Sequence, residues 1–174
     1  MQESTSTPRI RRLAPPDAPS YRTLMLDAYA GHLLAFTASV EEREPLPLSW
    51  WEARVSDATS MVFGAFDGDT LVGVAGVRVE TRDKLRHKAT LFGMYVHAHA
   101  RGRGVGRALV QAVLARARAQ AQCRVLQLTV TEGNSEAQAL YTACGFAPFG
   151  REPMAMRHGD GYVAKIHMWR DLAA

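Results

Sequence analysis

The chain has 174 residues, 47% of them apolar and 22% charged, with a net charge of +4 from 21 basic and 17 acidic residues. That is the size and composition of one globular domain, able to bury about two-thirds of its unfolded surface without a metal or a disulfide. It excludes collagen-like, mucin-like and wholly disordered chains, and so small a charge excess does not call for nucleic acid.

Apolar runs such as Leu71–Val77 fall far short of the ~18 residues a membrane-spanning helix needs. The opening MQESTSTPRIRRLAPP has no apolar core after its charges, so neither a secretory signal nor a membrane is expected. Cys123 and Cys144 form no CxxC pair, which fits a reducing, cytoplasmic setting.

Residues 1–8 read as a frayed polar tail, and 9–174 as a single domain. Arg9–Leu13 is a short first strand. Asp17 offers an N-cap to a helix whose Tyr21, Leu24, Met25, Ala28 and Tyr29 recur on one face. Glu41–Pro47 reads as a proline-broken polar loop, and Ser49–Glu52 as a capping box opening a short second helix through Val55. Met61–Phe66 and Thr70–Glu80 are strands around the turn Asp67-Gly68-Asp69. Ala89–Val96 is another strand, and Gly93 within it predicts a bulge or a close backbone approach. A helix over Gly106–Gln120 buries Leu109, Val110, Val113 and Leu114 and turns its arginines to water. Val125–Val130 is a strand, and Ser135–Cys144 a helix with a Ser135/Gln138 box and a Gly145 stop. Strands near Phe149–Met156 and Tyr162–Trp169 flank the turn 158–161. The order is β-α-α-β-β-β-α-β-α-β-β, which predicts a mixed sheet covered by helices.

The segment Arg101-Gly102-Arg103-Gly104-Val105-Gly106-Arg107 follows a strand and opens a helix. Glycines there let the backbone approach a ligand, and unpaired helical N–H groups with the helix dipole suit a pyrophosphate. No Gly-Lys-Ser/Thr closes it as a Walker A loop, and Arg107 or Leu109 stands where a dinucleotide fingerprint needs its third glycine. The alternative is a tight strand–helix turn with solvated arginines. The spacing that fits is Arg-x-x-Gly-x-Gly, with Arg101, Gly104 and Gly106.

That spacing resembles the coenzyme A pyrophosphate loop of the GNAT superfamily of N-acetyltransferases. Three further segments are similar to that family in the same order: Met94-Tyr95-Val96 to the end of its splayed fourth strand, Leu128-Thr129-Val130 with Asn134 and Ala137 to its fifth strand and following helix, and Leu140–Phe146 to its LYxxxGF signature. The resemblance runs from Arg9 nearly to the end and is strongest over 89–149. It implies an α/β (α+β) fold: a mixed, mostly antiparallel sheet of about seven strands, about four helices, and a splay between the fourth and fifth strands. It implies transfer of an acetyl group from acetyl-CoA to an amine, on a small molecule or on a peptide N-terminus or lysine, by a monomer or homodimer.

Residue by residue, the resemblance assigns cofactor binding to Met94, Tyr95, Val96, Arg101, Gly102, Arg103, Gly104, Val105, Gly106, Arg107, Asn134, Ala137 and Tyr141. Tyr141 matches the general acid that protonates the CoA thiolate; on periodicity alone it belongs to a core stripe with Ala137, Leu140 and Cys144. The fourth strand carries no carboxylate where many relatives have their base. His87 and Glu80 are the candidates to replace it, unless water relays the proton or the amine arrives neutral. No metal is expected: His97 and His99 lack further ligands, and no HExxH or cysteine cluster is present. The rival function is a non-catalytic acyl-CoA-binding module of the same fold; a dinucleotide-dependent oxidoreductase fails on glycine spacing.

Overall fold

The computed structural model describes residues 8–173, so all of the expected tail but Pro8 lies outside the described residues. Its elements in chain order are β1 (Arg9–Arg12), α1 (Ala18–Gly31), α2 (Val40–Arg43), α3 (Leu48–Ser56), β2 (Ser60–Asp67), β3 (Thr70–Val79), β4 (Lys88–Val96), α4 (Val105–Arg118), β5 (Val125–Thr131), α5 (Ser135–Ala143), β6 (Ala147–His158) and β7 (Gly161–Asp171). The strands form one seven-stranded sheet in the order β1-β2-β3-β4-β5-β7-β6. Every neighbouring pair is antiparallel except β4–β5. The mixed fold predicted from the element order is therefore present, with α2 as an additional short helix.

The two sheet faces are covered differently. On one, α4 lays Val105, Leu109, Val110, Val113, Leu114 and Ala117 against Val72, Ala75, Val77, Leu91, Leu126 and Leu128. On the other, α1 and α3 pack Tyr21, Leu24, Met25, Tyr29, Trp51 and Val55 onto Val62, Phe66, Val74 and Tyr95. The apolar stripes expected on α1 and α4 are the residues that are buried. Fully burying a leucine or valine of this kind stabilises by roughly 1.5–3 kcal/mol. No helix among the described residues is long and apolar enough to cross a membrane.

The departures from expectation lie at helix starts. The Ser49–Glu52 box does not form, because the helix starts two residues earlier than that box implies, at Leu48 after Pro47. Pro47 already holds the extended conformation that launches a helix. The box sits instead in the segment expected to be a loop: Ser39 Oγ accepts from the Glu42 N–H at 3.3 Å, and the Glu42 carboxylate accepts from the Ser39 N–H at 3.2 Å. In α5 the cap is Asn134, whose Oδ1 accepts from the Ala137 N–H at 3.2 Å; Ser135 is already inside the helix.

Asp17 does not cap α1 through its side chain. Its carboxylate turns back, accepting from the Ala14 N–H at 2.8 Å and from both Arg11 guanidinium nitrogens at 2.7 and 2.8 Å. It thereby ties β1 to the start of α1. The hydrogen bonds from Arg11 hold the Asp17 carboxyl below its usual range. A depressed carboxyl stabilises the fold above its unfolded pKa, ~3.9, and that contribution disappears as pH falls through the folded value. Chemical denaturation should therefore find Asp17→Asn less stable than the parent at pH 7, with the gap closing below about pH 3.

Candidate functional site

Strands β4 and β5 pair at three positions only: Lys88 with Val125, Ala89 with Leu126 and Thr90 with Gln127. Beyond Thr90 they part. Val74 of β3 pairs with Tyr95, while Gly76 pairs with Phe92, so Gly93 and Met94 together oppose Ala75. This is a bulge, and Gly93 occupies it at φ +60°, a conformation that favours glycine. The extra residue bends β4 away, and the edge of β4 toward β5 faces the gap with its backbone groups unpaired by any strand.

The loop after β4 closes the wide end of this gap. Gly102 and Gly104 have φ +72° and +76°, which sets the chain on a tight path into α4. The helical hydrogen-bond ladder begins with the Ala108 N–H on the Gly104 carbonyl at 3.0 Å. The N–H groups of Val105, Gly106 and Arg107 precede it and stand at the positive end of the helix dipole. Gly106 faces the gap closely: a Cβ there would come within 3.2 Å of Leu140 Cδ2 and 3.3 Å of Met94 Cε.

The resulting cleft encloses about 340 Å³, in the range of small-ligand sites. Of the residues singled out in the sequence, Met94, Tyr95, Val96, Arg101, Gly102, Gly104, Val105, Gly106, Arg107, Asn134 and Ala137 line it. Three arginines do not act alike. Arg101 and Arg107 line the cleft, but Arg103 turns to the end of β2 and pairs with Asp67 Oδ2 at 2.7 Å. The cleft thus contains the features a diphosphate requires: free helical amides, a helix N-terminus and two guanidinium groups.

The end of α1 and the segment after it contribute a further wall, His32, Ala35 and Phe36, of which sequence reasoning missed His32 and Ala35. Arg101 Nη2 donates to His32 Nε2 at 3.1 Å and its Nε donates to the Val96 carbonyl at 3.1 Å. A guanidinium offers no acceptor, so the His32 ring accepts through Nε2 and carries its hydrogen on Nδ1. No local pattern in the sequence signals that His32 meets a loop 69 positions later. A second cavity shares His32, Ala35 and Asn134 with the cleft and runs past Thr131 and Glu132 to His158.

Tyr141 is not on the cleft wall. It is 5% exposed, in the core behind Leu140, with its ring edge-on to Phe146 at 6.0 Å. Burial, and then the neighbouring Cys144, push its phenol above the ordinary tyrosine range, so it keeps its proton throughout the physiological pH span. Cys144 is buried beside it, and burial raises that thiol too, as in a packing residue rather than a nucleophile.

The structure does not bring His87 and Glu80 to the cleft. The Glu80 N–H donates to the Lys88 carbonyl, and the His87 carbonyl accepts from the Arg124 and Val125 N–H groups. Both therefore sit at the closed end of the gap, seven residues of strand before Met94 in the case of His87. At ~3.3 Å per residue that is roughly 20 Å away. The His97 and His99 rings lie 4.3 Å apart, and no group of three or more His, Cys, Asp or Glu side chains placed to hold a metal occurs among the described residues.

The sequence matches the model of the acetyltransferase (GNAT) family over residues 24–146. No curated protein matches it by sequence. Among solved structures, a GNAT-family acetyltransferase from Streptococcus pneumoniae superposes with a TM-score of 0.81 at 21% identity, covering 94% of this chain and 99% of that one. A ribosomal-protein-alanine N-acetyltransferase from Brucella melitensis gives a TM-score of 0.76 at 25% identity, with 94% and 99% covered. A GNAT superfamily phosphinothricin acetyltransferase from Sinorhizobium meliloti, solved in complex with AcCoA, gives 0.81 at 20% identity, with 95% and 89% covered. With the family model spanning more than half of its length, the chain belongs to the GNAT family of acetyltransferases.

Proposed function

We propose that this protein is an N-acetyltransferase that moves the acetyl group of acetyl-CoA directly to an amine. The observation that carries this reading is the glycine-rich start of α4 placed across the mouth of the β4–β5 gap. Acetyl-CoA supplies the acetyl group as a thioester; everything else is asked of this chain's residues.

The N–H groups of Val105, Gly106 and Arg107, with the guanidinium groups of Arg101 and Arg107, hold the diphosphate. The unpaired edge of β4 at Met94–Val96 pairs with the amide groups of the pantetheine arm, as a strand would. A backbone N–H released at the bulge is available to the thioester oxygen, where negative charge develops. Asn134 fixes the start of α5, which brings Ala137 and Leu140 against the arm. Tyr141, which holds its proton and follows the cleft-lining Leu140 on α5, is the proposed donor to the departing thiolate. Arg103 is absent from this set, because its partner is Asp67.

The acceptor is an amine on a small molecule or a peptide. The Brucella relative's name specifies a ribosomal-protein alanine and the Sinorhizobium one phosphinothricin, so both classes belong in the test. We place the enzyme in the cytoplasm, in keeping with its two free cysteines, as one catalytic domain over residues 9–174 acting as a monomer or homodimer.

Calorimetric titration with acetyl-CoA, followed by thiol release against polyamines, aminoglycosides, amino acids and peptide N-termini, tests the reading. Binding with release to one amine class is expected. Binding without release across the panel favours the acyl-CoA-binding module, and absence of binding overturns both.

Two substitutions test the parts. Gly106→Val places a branched side chain against Leu140 and Met94, and should weaken acetyl-CoA binding at least tenfold. Affinity equal to the parent would remove the cleft mouth from the binding site. Tyr141→Phe should lower turnover by about 10²–10⁴ while leaving acetyl-CoA affinity within a factor of two or so. Unchanged turnover would leave Tyr141 a packing residue.

A further inference from the structure

Placing the cofactor cleft leaves the proton of the incoming amine unaccounted for. An amine acceptor is mostly ammonium near pH 7 and must lose a proton before it attacks. Neither His87 nor Glu80 reaches the gap, and β4 offers no carboxylate.

The sheet face on the α1 side supplies a different group. On β5 and β7, Thr129 pairs with His167 and Thr131 with Lys165, so these four side chains share one face. The opposite face holds Leu128 and Met168, both buried against α4 and α5. The segment after α1 lies over the Thr131 end: Thr131 Oγ1 donates to the Leu34 carbonyl, and Lys165 Nζ donates to Thr37 Oγ1 at 2.8 Å. Thr129 is exposed and the His167 side chain keeps 34% of its surface. By strand order, Thr129 stands on the far wall of the gap from Phe92, with His167 one strand behind it.

His167 is held by a carboxylate. Its Nε2 lies 2.8 Å from Glu152 Oε2 on β6. A carboxylate only accepts, so the ring donates from Nε2, and in the neutral ring Nδ1 holds the lone pair. The residue opposite His167 on β6 is Gly150, which puts no side chain in the way, and the Phe149 ring meets the imidazole edge-on at 5.8 Å. A histidine fixed by a carboxylate, with a free basic nitrogen on an open face beside the gap, is the arrangement of a base and its orienting partner.

We propose that His167, oriented by Glu152, is the base that accepts the proton of the acceptor ammonium, directly or through one water; this rests on the acetyl-transfer reading above. The proton moves from the ammonium to Nδ1 and then to solvent. The neutral nitrogen forms its C–N bond as the C–S bond breaks. The second nitrogen proton leaves to water as the amide forms; the thiolate takes one proton from Tyr141, and water returns one to the phenolate. The charged groups facing His167 are Glu152 from β6 and Lys165 from β7; β5 presents the uncharged Thr129, and the α1–α2 segment presents Thr37 to Lys165. Glu152 stabilises the imidazolium once it forms, and Lys165 is occupied by Thr37.

The test is the pH profile of kcat/KM with the best amine of the panel. His167→Gln keeps an N–H donor but removes the base. It should lower kcat/KM by about 10²-fold at pH 7 and replace the acidic limb of the profile by a rise that follows the amine's own ionisation. The deficit should shrink toward pH 10, where the free amine becomes abundant, and acetyl-CoA affinity by calorimetry should not change. Glu152→Gln should give a smaller loss with the limb displaced rather than abolished. A parent-like rate and profile in His167→Gln overturns the assignment while acetyl transfer stands. A loss equal at every pH also overturns it, since that is the mark of a structural defect. No transfer by the parent to any amine overturns the proposed activity itself.

Discussion

Everything about the site depends on a strand pair that stops pairing. β4 and β5 share three residue pairs and then separate, because the two-against-one bulge at Gly93–Met94 bends β4 while β5 stays straight on β7. A sheet that kept its ladder closed here would satisfy more backbone groups but leave no room for an extended ligand. The open edge is tolerated because the two halves are held elsewhere: β1–β4 by α1, α3 and α4, and β5 and β7 by the core that Leu126, Leu128 and Met168 share with the helices. The helix laid across β1–β4 is also the one whose N-terminus faces the gap.

The interactions around the mouth are tethers across long sequence distances. Arg101 joins the loop to the end of α1 through His32, Arg103 joins it to the β2–β3 turn through Asp67, and Lys165 and Thr131 join β5 and β7 to the segment after α1. Single exposed ion pairs contribute little, of the order of 0–1 kcal/mol each. Their value here is directional: each fixes where a loop sits relative to the gap.

Much of this was legible from residues alone. The periodic stripes of α1 and α4, the Gly93 irregularity and the glycine-rich turn each reflect a local rule, and local rules survive folding. Helix starts were read less well. Ser49 and Ser135 both satisfy the capping pattern, yet Pro47 caps its helix two residues earlier and Asn134 one residue earlier, and the box that forms, at Ser39–Glu42, runs into a stretch whose prolines and charges suggested a loop. The site was legible on β4, the loop and α5, where motif and geometry coincide in one stretch of chain. It was illegible at His32, which meets Arg101 only across the fold, and at the His167–Glu152 pair, which strand order and register bring together. His87 was attractive for its chemistry and its nearness to β4 in sequence, but a strand spends that nearness in length.

One feature of the rim has a meaning of its own. β6 is a twelve-residue strand at the border of the sheet, exposed along most of its length; it carries the exposed apolar Phe149 and Met154, with Tyr162 nearby on β7. A border like that invites a second chain to add itself strand by strand. Here the ladder to β7 is broken twice, at Pro148/Gly150 and Glu152/Met156; Pro153 has no N–H to offer, and Met154 sits at φ +53°. The outer edge is consequently never regular for more than a few residues, and an incoming strand finds no continuous row of donors and acceptors to follow. The same irregularities that let Glu152 turn toward His167 also protect the protein from polymerising along its border.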